Sequence, residues 1–180
     1  MTQKLFAVYL GGRAPRAAIE LHDMVFVTGE RIEDCYGQIL DQWFGTPGHV
    51  HIDSVLELDI VDGWKIELKR TPAPRAEKLY FVNLGAYNKT DFTELHAISF
   101  HVADSAPKAK ATALAMNFRN GERERHKDDL LAVDDCIAVT RANGLHIRLT
   151  RTNAVSTQVP SNSYHAIPKP IIAAWLARMQ

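Results

Sequence analysis

Apolar residues along the first 70 positions follow two different periods, and the change of period marks the secondary structure. Runs that are apolar on both faces are separated by turn residues, which predicts buried strands. Between them, apolar residues recur at helical spacing up to Gly45 and Pro47, which predicts one amphipathic helix. The predicted elements are strands over 5–10 and 20–28, a helix over 30–44, and strands over 52–60 and 64–69.

The turns between these strands predict antiparallel hairpins. Gly11-Gly12 ends the first strand, and the loop after it is short. Asp62-Gly63 separates the last two strands and is a strong hairpin signal. Each unit is therefore predicted to run strand, strand, helix, strand, strand.

Most of this pattern is repeated in the second half of the sequence. Lys4–Gly11 returns as Lys78–Gly85, and Glu20-Leu21-His22 returns as Glu94-Leu95-His96, in both cases 74 positions later. A repeat at constant displacement indicates two like structural units.

The match slips farther along the chain. His51-Ile52-Asp53 corresponds to His126-Lys127-Asp128 at a displacement of 75, and 63–68 corresponds to 144–149 at 81. This difference predicts a longer last hairpin in the second copy. The second helix, near 106–118, has smaller apolar residues than the first and is expected to approach its sheet more closely.

These elements predict an α+β fold. It is an internal duplication of a β-β-α-β-β unit, with antiparallel sheets packed about a pseudo-twofold axis and a short C-terminal helix. The predicted divisions, expected to form one compact globule, are a first unit over 1–69, a linker over 70–77, a second unit over 78–152 and a C-terminal extension over 153–180.

The C-terminal extension combines a polar segment with an apolar helix. Residues 153–165 are polar and turn-like, and the part over 161–165 is read as a lid or an ordinary connection. Pro168 and Pro170 then open a helix that is expected to dock through one stripe. The stripe consists of Ile172, Trp175, Leu176 and Met179.

Charge and cysteine content narrow the class of protein. The 21 basic and 21 acidic residues cancel, which removes the usual electrostatic argument for nucleic acid or an anionic membrane. The longest apolar runs fall short of the roughly 20 residues of a membrane helix. The N-terminus lacks a signal-peptide pattern, and Cys35 and Cys136 fall at non-equivalent places in the copies. We therefore expect a cytoplasmic protein with free thiols.

Several of these motifs resemble one known family. Val8-Tyr9-Leu10-Gly11-Gly12, the Glu20-Leu21-His22-Asp23 step and the Trp43-Phe44 helix end are similar to the bacterial domain of unknown function 1543 family. The resemblance covers most of both copies, and the first copy is the closer match. It implies a tandem two-copy member and supports the duplication, and it implies no activity.

The repeated Glu-Leu-His step is one candidate for chemistry. Glu20 and His22 leave the same face of a strand, as Glu94 and His96 do, and such a pair can act as a general base or as half of a metal site. Alternation places both histidines on the apolar face of their strands. We therefore favour a structural role in which they point toward the core and hold the entrance of the second strand.

His51 and Asp53 form a second candidate pair. Alternation puts them on the more polar face of the third strand, away from the face assigned to His22. A metal site that combined them would need a β-bulge to reverse the register. Metal-binding spacings such as His-Glu-x-x-His or paired Cys-x-x-Cys are missing from the sequence, as is a glycine-rich phosphate loop. We therefore expect no metal site and no cofactor.

The loop after Gly12 is the candidate ligand site. Arg13 and Arg16 beside glycine amides can hold a carboxylate or phosphate, with Glu20 and His22 at the base of the site. The second copy has Tyr87 and Thr90 in place of the arginines. The plainer interpretation is a solvated loop.

Three classes of function remain open at this stage. The favoured one is a binding module for a small anion or a protein partner, because the loops differ while the strands repeat. An enzyme that uses the Glu20/His22 pair with Arg13 as an anion grip is the first alternative, and an interaction protein without a small-molecule site is the second. A homodimer is compatible with all three.

Overall fold

A computed structural model of the chain describes residues 2–86, 92–119 and 132–179, and the side chains of these residues except those of 117–119 and 132–134. The strands are β1 Lys4–Gly12, β2 Leu21–Gly29, β3 His51–Glu57, β4 Ile60–Val61, β5 Trp64–Lys69, β6 Lys78–Ala86, β7 Leu95–Ala103, β8 Ala132–Val139, β9 Arg141–Ala142, β10 Leu145–Arg151 and β11 Ser161–Ala166. The α-helices are α1 Tyr36–Gln42, α2 Ala106–Arg119 and α3 Lys169–Arg178, and short 3₁₀ helices cover Ile32–Cys35 and Pro47–His49.

The strands form three antiparallel sheets. The first sheet has the order β11-β3-β1-β2, and the second has the order β7-β6-β8. The third sheet, β4-β5-β10-β9, joins strands from both halves of the chain because β5 pairs with β10. The α+β class and its short C-terminal helix are thus present. Across the described ranges, no helix is long and apolar enough to span a membrane.

Three apolar cores separate these layers. Even-numbered residues of β1, such as Phe6 and Val8, pack with α1 and α3 on one face of the first sheet. Odd-numbered residues Leu5 and Ala7 pack with Phe81 of β6 in a core that all three sheets share, since Trp64 of β5 and Leu149 of β10 belong to it as well. The third core lies between the second sheet and α2. Burial on both faces explains why the central strands are apolar throughout.

The second helix lies close to its sheet, as its small side chains predict. Ala109 and Ala113 are fully buried against Tyr80 and Val82 of β6. An alanine at such a contact lets a helix approach a sheet closely, because little volume separates the two backbones.

The first helix is shorter than predicted. It begins as a 3₁₀ turn after Arg31, whose backbone N–H donates to Asp34 Oδ2, rather than at position 30. It ends at Gln42, because the backbone at Trp43 is extended. The apolar stripe correctly predicts which face of the helix is buried. The capping side chain of Asp34 sets the residue at which the helix begins, and the stripe does not reveal it.

The extra residues of the second half lie before β8, which corrects the predicted longer hairpin. β7 ends at Ala103, 74 positions after Gly29, whereas β8 begins at Ala132, 81 positions after His51. The two hairpin turns have equal length, and all four of their residues have positive φ: Asp62 and Gly63 in the first half, Asn143 and Gly144 in the second. Such turns match the twist of the strands they join.

The C-terminal extension contains a strand that periodicity does not predict. Residues over 161–165 are neither a lid nor an ordinary connection, since Ser161–Ala166 forms β11 at the edge of the first sheet beside β3. All its residues are exposed, so apolar alternation gives no signal there.

The C-terminal helix α3 docks on α1, as predicted. The contact is made by Ile172 and by a hydrogen bond of 2.6 Å from Trp175 Nε1 to Asp41 Oδ1. Leu176 and Met179 of the predicted stripe are exposed instead.

The two cysteines are free thiols, as predicted. Burial, with smaller contributions from the charges of Asp34 and Glu33, raises the pKa of Cys35 to about 12. This thiol therefore stays protonated and unreactive at neutral pH.

We expect Ala113→Leu to destabilise the protein by about 1–3 kcal/mol, because the added side chain overpacks the contact between α2 and the second sheet. Ala111→Leu is the matched control, since Ala111 lies on the exposed face of the same helix. Urea denaturation of the two variants measures the difference. Equal midpoints would contradict the close approach of α2.

Candidate functional site

The site is built on one row across three neighbouring strands. His22 of β2 lies opposite Gly11 of β1, and Gly11 lies opposite His51 of β3. Residues directly opposite one another project from the same face of a sheet. The two imidazoles therefore flank a glycine, which has no side chain to separate them.

A β-bulge adds Asp53 to this face. Tyr9 pairs with Ser54 but Leu10 pairs with Ile52, so Asp53 is an extra residue in β3. The bulge reverses the alternation beyond this point and leaves His51 and Asp53 on the face of His22. The prediction that simple alternation separates these residues is therefore wrong. His51, expected on the more polar side, is buried.

Glu20 completes a carboxylate–histidine cluster that consists of Glu20, His22, His51 and Asp53. The Nε2 atom of His51 lies 3.3 Å from Glu20 Oε1 and 3.2 Å from Asp53 Oδ1. The Nε2 atom of His22 lies 3.5 Å from Glu20 Oε1 and 3.5 Å from Asp53 Oδ2. Both carboxylates thus contact both imidazoles.

Three of these side chains converge on the hollow above Gly11. A Cβ atom placed on Gly11 would lie 2.5 Å from Asp53 Oδ2, 2.5 Å from His51 Nε2 and 2.9 Å from Glu20 Oε1. A side chain at this position would therefore force these three side-chain ends to move apart. The ligand atoms of Glu20, His51 and Asp53 all lie within 4.8 Å of one another, a spacing that can hold a metal ion.

One oxygen of the cluster has no partner. Asp53 Oδ2 is buried and forms no hydrogen bond with any described residue. Its distance of 3.5 Å from His22 Nε2 is too long for a normal hydrogen bond. A buried oxygen left unpaired costs roughly 1–3 kcal/mol, and a bound cation would supply the missing partner.

The environment differs sharply between the two histidines. The His51 side chain is 6% exposed, and its ring packs on Tyr164 of β11 with centroids 4.3 Å apart. The His22 side chain is 41% exposed, so the prediction that it points into the core is wrong. His96 is exposed as well. His22 and His96 lie near the start of β2 and β7, before the first residues of those strands that join an apolar core.

Tyr9 borders the cluster on the side of His22. The two rings stack with centroids 5.2 Å apart and planes only 3° from parallel. Burial, followed by the negative charge of Asp53, raises the pKa of Tyr9. Its hydroxyl therefore remains protonated at neutral pH and can donate a hydrogen bond.

The loop that carries Arg13 and Arg16 follows Gly12, and its arginine side chains do not bind the described residues of the cluster. Arg13 and Arg16 are exposed, and their side chains make no ion pair with the described residues. The backbone carbonyl of Arg13 accepts a hydrogen bond of 2.7 Å from Thr46, which fixes the start of the loop. A Cβ on Gly12 would meet Trp43 and the carbonyl of His49, so Gly12 permits close packing of the chain itself.

The second half keeps only part of the arrangement. His96 pairs with Gly85 and lies near Glu94, with His96 Nε2 3.6 Å from Glu94 Oε2. Gly85 pairs on its other side with Ala132, which occupies the place of His51. The predicted match of His51 with His126 is therefore wrong in register, and His126, Asp128, Tyr87 and Thr90 lie outside the described residues.

Sequence reasoning finds half of the cluster and misses the rest. It identifies Glu20 and His22 but assigns His51 and Asp53 to another face, because it cannot place the bulge. One signal was available: a glycine that continues a strand often marks a bulge or a close approach. The sequence predicts that Gly11 and Gly12 end β1, whereas the strand continues through both.

Because both histidines are exposed, we expect His22→Ala and His96→Ala each to change the free energy of unfolding by less than about 0.5 kcal/mol. Urea denaturation in the presence of a chelator measures this without a contribution from bound metal. Tyr80→Ala, a change in the core between β6 and α2, is the positive control. A loss of 1 kcal/mol or more, as a rough threshold for a buried hydrogen-bonded group, would restore the structural interpretation of the histidines.

Comparison with known proteins places the cluster in a family. Residues 17–68 match the family described as Domain of Unknown Function (DUF1543), and this range contains all four residues of the cluster. No curated protein matches the chain.

A solved structure extends the likeness over nearly the whole chain. It is the crystal structure of a protein Il1583 from Idiomarina loihiensis, with 35% sequence identity and a TM-score of 0.72. The similarity covers 93% of this chain and 99% of that one. Together with the family match, this shows that the chain belongs to the DUF1543 family.

Proposed function

We propose that the protein is a ligand-binding module built from two like halves about a pseudo-twofold axis, and that its first half binds a divalent transition-metal ion. The convergence of Glu20, His51 and Asp53 on the hollow above Gly11 carries this proposal. The ion would lie outside that hollow, where the three donor atoms can reach it together.

The pairing of β5 with β10 supports the twofold axis. Glu67 lies opposite Arg148, which is 81 positions later in the chain. On either side, Ile66 lies opposite Leu149 and Leu68 lies opposite Ile147. At the displacement of 81, Glu67 thus pairs with its own counterpart, Ile66 pairs with the counterpart of Leu68, and Leu68 pairs with the counterpart of Ile66. Such reciprocal pairing is what an axis between equivalent strands produces.

The donor spacing suits a single ion. Ligands held at ordinary zinc distances in a tetrahedral arrangement lie about 3.4 Å from one another. The separations of His51 Nε2 from Glu20 Oε1 and Asp53 Oδ1 are 3.3 Å and 3.2 Å. The three side chains would therefore need only small movements to share an ion.

The donor types favour a transition metal over Mg²⁺ or Ca²⁺. Those two ions prefer oxygen ligands, whereas imidazole suits Zn²⁺ and its neighbours in the first transition row. His51 is held in place by burial and by the ring of Tyr164, so its nitrogen is preorganised. Two carboxylates beside it would balance the charge of a divalent ion.

The same carboxylates weigh against a free anion at the base of the site. Glu20 and Asp53 offer only acceptor oxygens, which would repel it. The anion site predicted around Gly12, Arg13 and Arg16 stays a prediction for the arginine loop. An enzyme that uses Glu20 and His22 is the second candidate, favoured by the contact of His22 with both carboxylates.

We expect chelator-treated protein to bind one Zn²⁺ per chain, measured by equilibrium dialysis with elemental analysis. Free Zn²⁺ at 100 times the dissociation constant should stabilise the fold by about 2.7 kcal/mol in a thermal shift assay. Mg²⁺ at the same concentration should give no comparable shift. His51→Ala and Gly11→Ala should both abolish the effect, the first by removing a donor and the second by pushing the three donor atoms apart.

His96→Ala is the matched control, because His96 occupies the corresponding row of the second half. It should bind Zn²⁺ like the unaltered protein. Zinc binding that survives both His51→Ala and Gly11→Ala would overturn the proposal, since the ion would then lie elsewhere.

The second half offers a gain-of-site test. Ala132 pairs with Gly85 as His51 pairs with Gly11, and β8 carries the same register shift as β3, with Asp134 as its extra residue. Ala132→His should therefore raise the zinc stoichiometry from one to two per chain. A stoichiometry that stays at one would contradict the equivalence of the two halves.

A further inference from the structure

We infer that the metal ion keeps a coordination position open and binds a small oxyanion there, with His22 and Tyr9 as hydrogen-bond donors. This inference rests on the proposed metal site and names the ligand that the site would hold. The ligand class is a carboxylate or a phosphate, since both present one oxygen to the ion and a second to the donors.

The number of protein donors leaves room for such a ligand. Among the residues that the structure describes, the metal-binding cluster of side chains consists of Glu20, His51 and Asp53, whose ligand atoms all lie within 4.8 Å of one another. Metal sites with three protein ligands keep a position for water or substrate, whereas structural sites are closed by four.

The site is also open to solvent on the side away from His51. The side chains of Glu20 and Asp53 are 44% and 28% exposed, whereas that of His51 is 6% exposed. An ion bound between them would be anchored on its buried side and reachable from its exposed side. A small ligand can therefore approach without any movement of the backbone.

His22 is placed to contact that ligand rather than the ion. Its Nε2 atom faces both carboxylates at 3.5 Å, which is too far for a normal hydrogen bond, so this nitrogen is aimed at the exposed side of the cluster and has no hydrogen bond to it. Once the carboxylates bind the ion, an oxygen of the exogenous ligand is a better acceptor within reach. The stacked ring of Tyr9 fixes the plane of the imidazole.

Tyr9 contributes a second hydrogen-bond donor beside His22. Its hydroxyl forms no hydrogen bond with the described residues and can both donate and accept one, while its ring stacks on that of His22. Two N–H or O–H donors beside a divalent ion match a ligand rich in acceptors, and ionised oxygens form the stronger hydrogen bonds. The charges also agree, because the ion and the two carboxylates cancel and leave no net repulsion toward an anion.

The test uses protein loaded with Co²⁺, whose visible absorption reports its ligands. Acetate and phosphate are titrated separately against the loaded protein at constant ionic strength. We expect a saturable change of the spectrum with at least one of them. Tighter binding of acetate would assign carboxylates as the ligand class, and tighter binding of phosphate would assign phosphates.

His22→Ala and Tyr9→Phe should each retain the cobalt and weaken the anion by about tenfold or more, the value of a hydrogen bond to a charged group. His96→Ala is the control and should leave the anion affinity unchanged. A protein that binds no Co²⁺ would overturn the proposed metal site itself. A protein that binds Co²⁺ with a spectrum insensitive to both anions, or an anion affinity unaffected in both His22→Ala and Tyr9→Phe, would overturn this inference alone.

Discussion

Burial of the central strands on both faces is the constraint on which the rest of the molecule depends. Residues 5–8 of β1 and 79–82 of β6 are buried without a break, so each strand needs an apolar layer on either side. Helices cover the outer faces, and the inner faces are buried in a core that the two sheets share with the third. Water is excluded from the middle of both strands, which leaves their ends as the places where polar groups can gather. The cluster at Gly11 lies at such an end, beyond the last core residue, Leu10.

A bulge converts this strand end into a site. Each half carries a register shift at the same place, between Tyr9 and Leu10 in β1 and between Asn83 and Leu84 in β6. The shift is therefore a property of the fold rather than of the site. In the first half it turns Asp53 toward His51 and His22. The fold thus supplies the geometry, and the side chains at a few positions decide whether donors converge there.

Sequence patterns predict most of the elements because their signals are local. Alternation finds β1 and β6, helical spacing finds α2, and turn glycines find the hairpins at Asp62 and Asn143. The errors fall where the deciding interaction is not local. β11 pairs with β3 through backbone hydrogen bonds that its exposed side chains do not reveal. The bulge likewise depends on pairing between strands about 40 residues apart. Its one extra residue changes the register, so a prediction from simple alternation assigns His51 and Asp53 to the wrong face.

The two halves also separate what folding needs from what a ligand needs. The second sheet reaches the same registers with Asn83 in place of Tyr9 and Ala132 in place of His51. Those side chains are therefore dispensable for the strand pairing. In the first half they accompany a buried and unpaired oxygen on Asp53, which lowers the stability of the protein without a ligand. Groups that the fold does not require, held at a cost in stability, are typical of binding and catalytic sites. The asymmetry between the halves thus points to the first one as the functional half, and the open face of its cluster points to a ligand from solution.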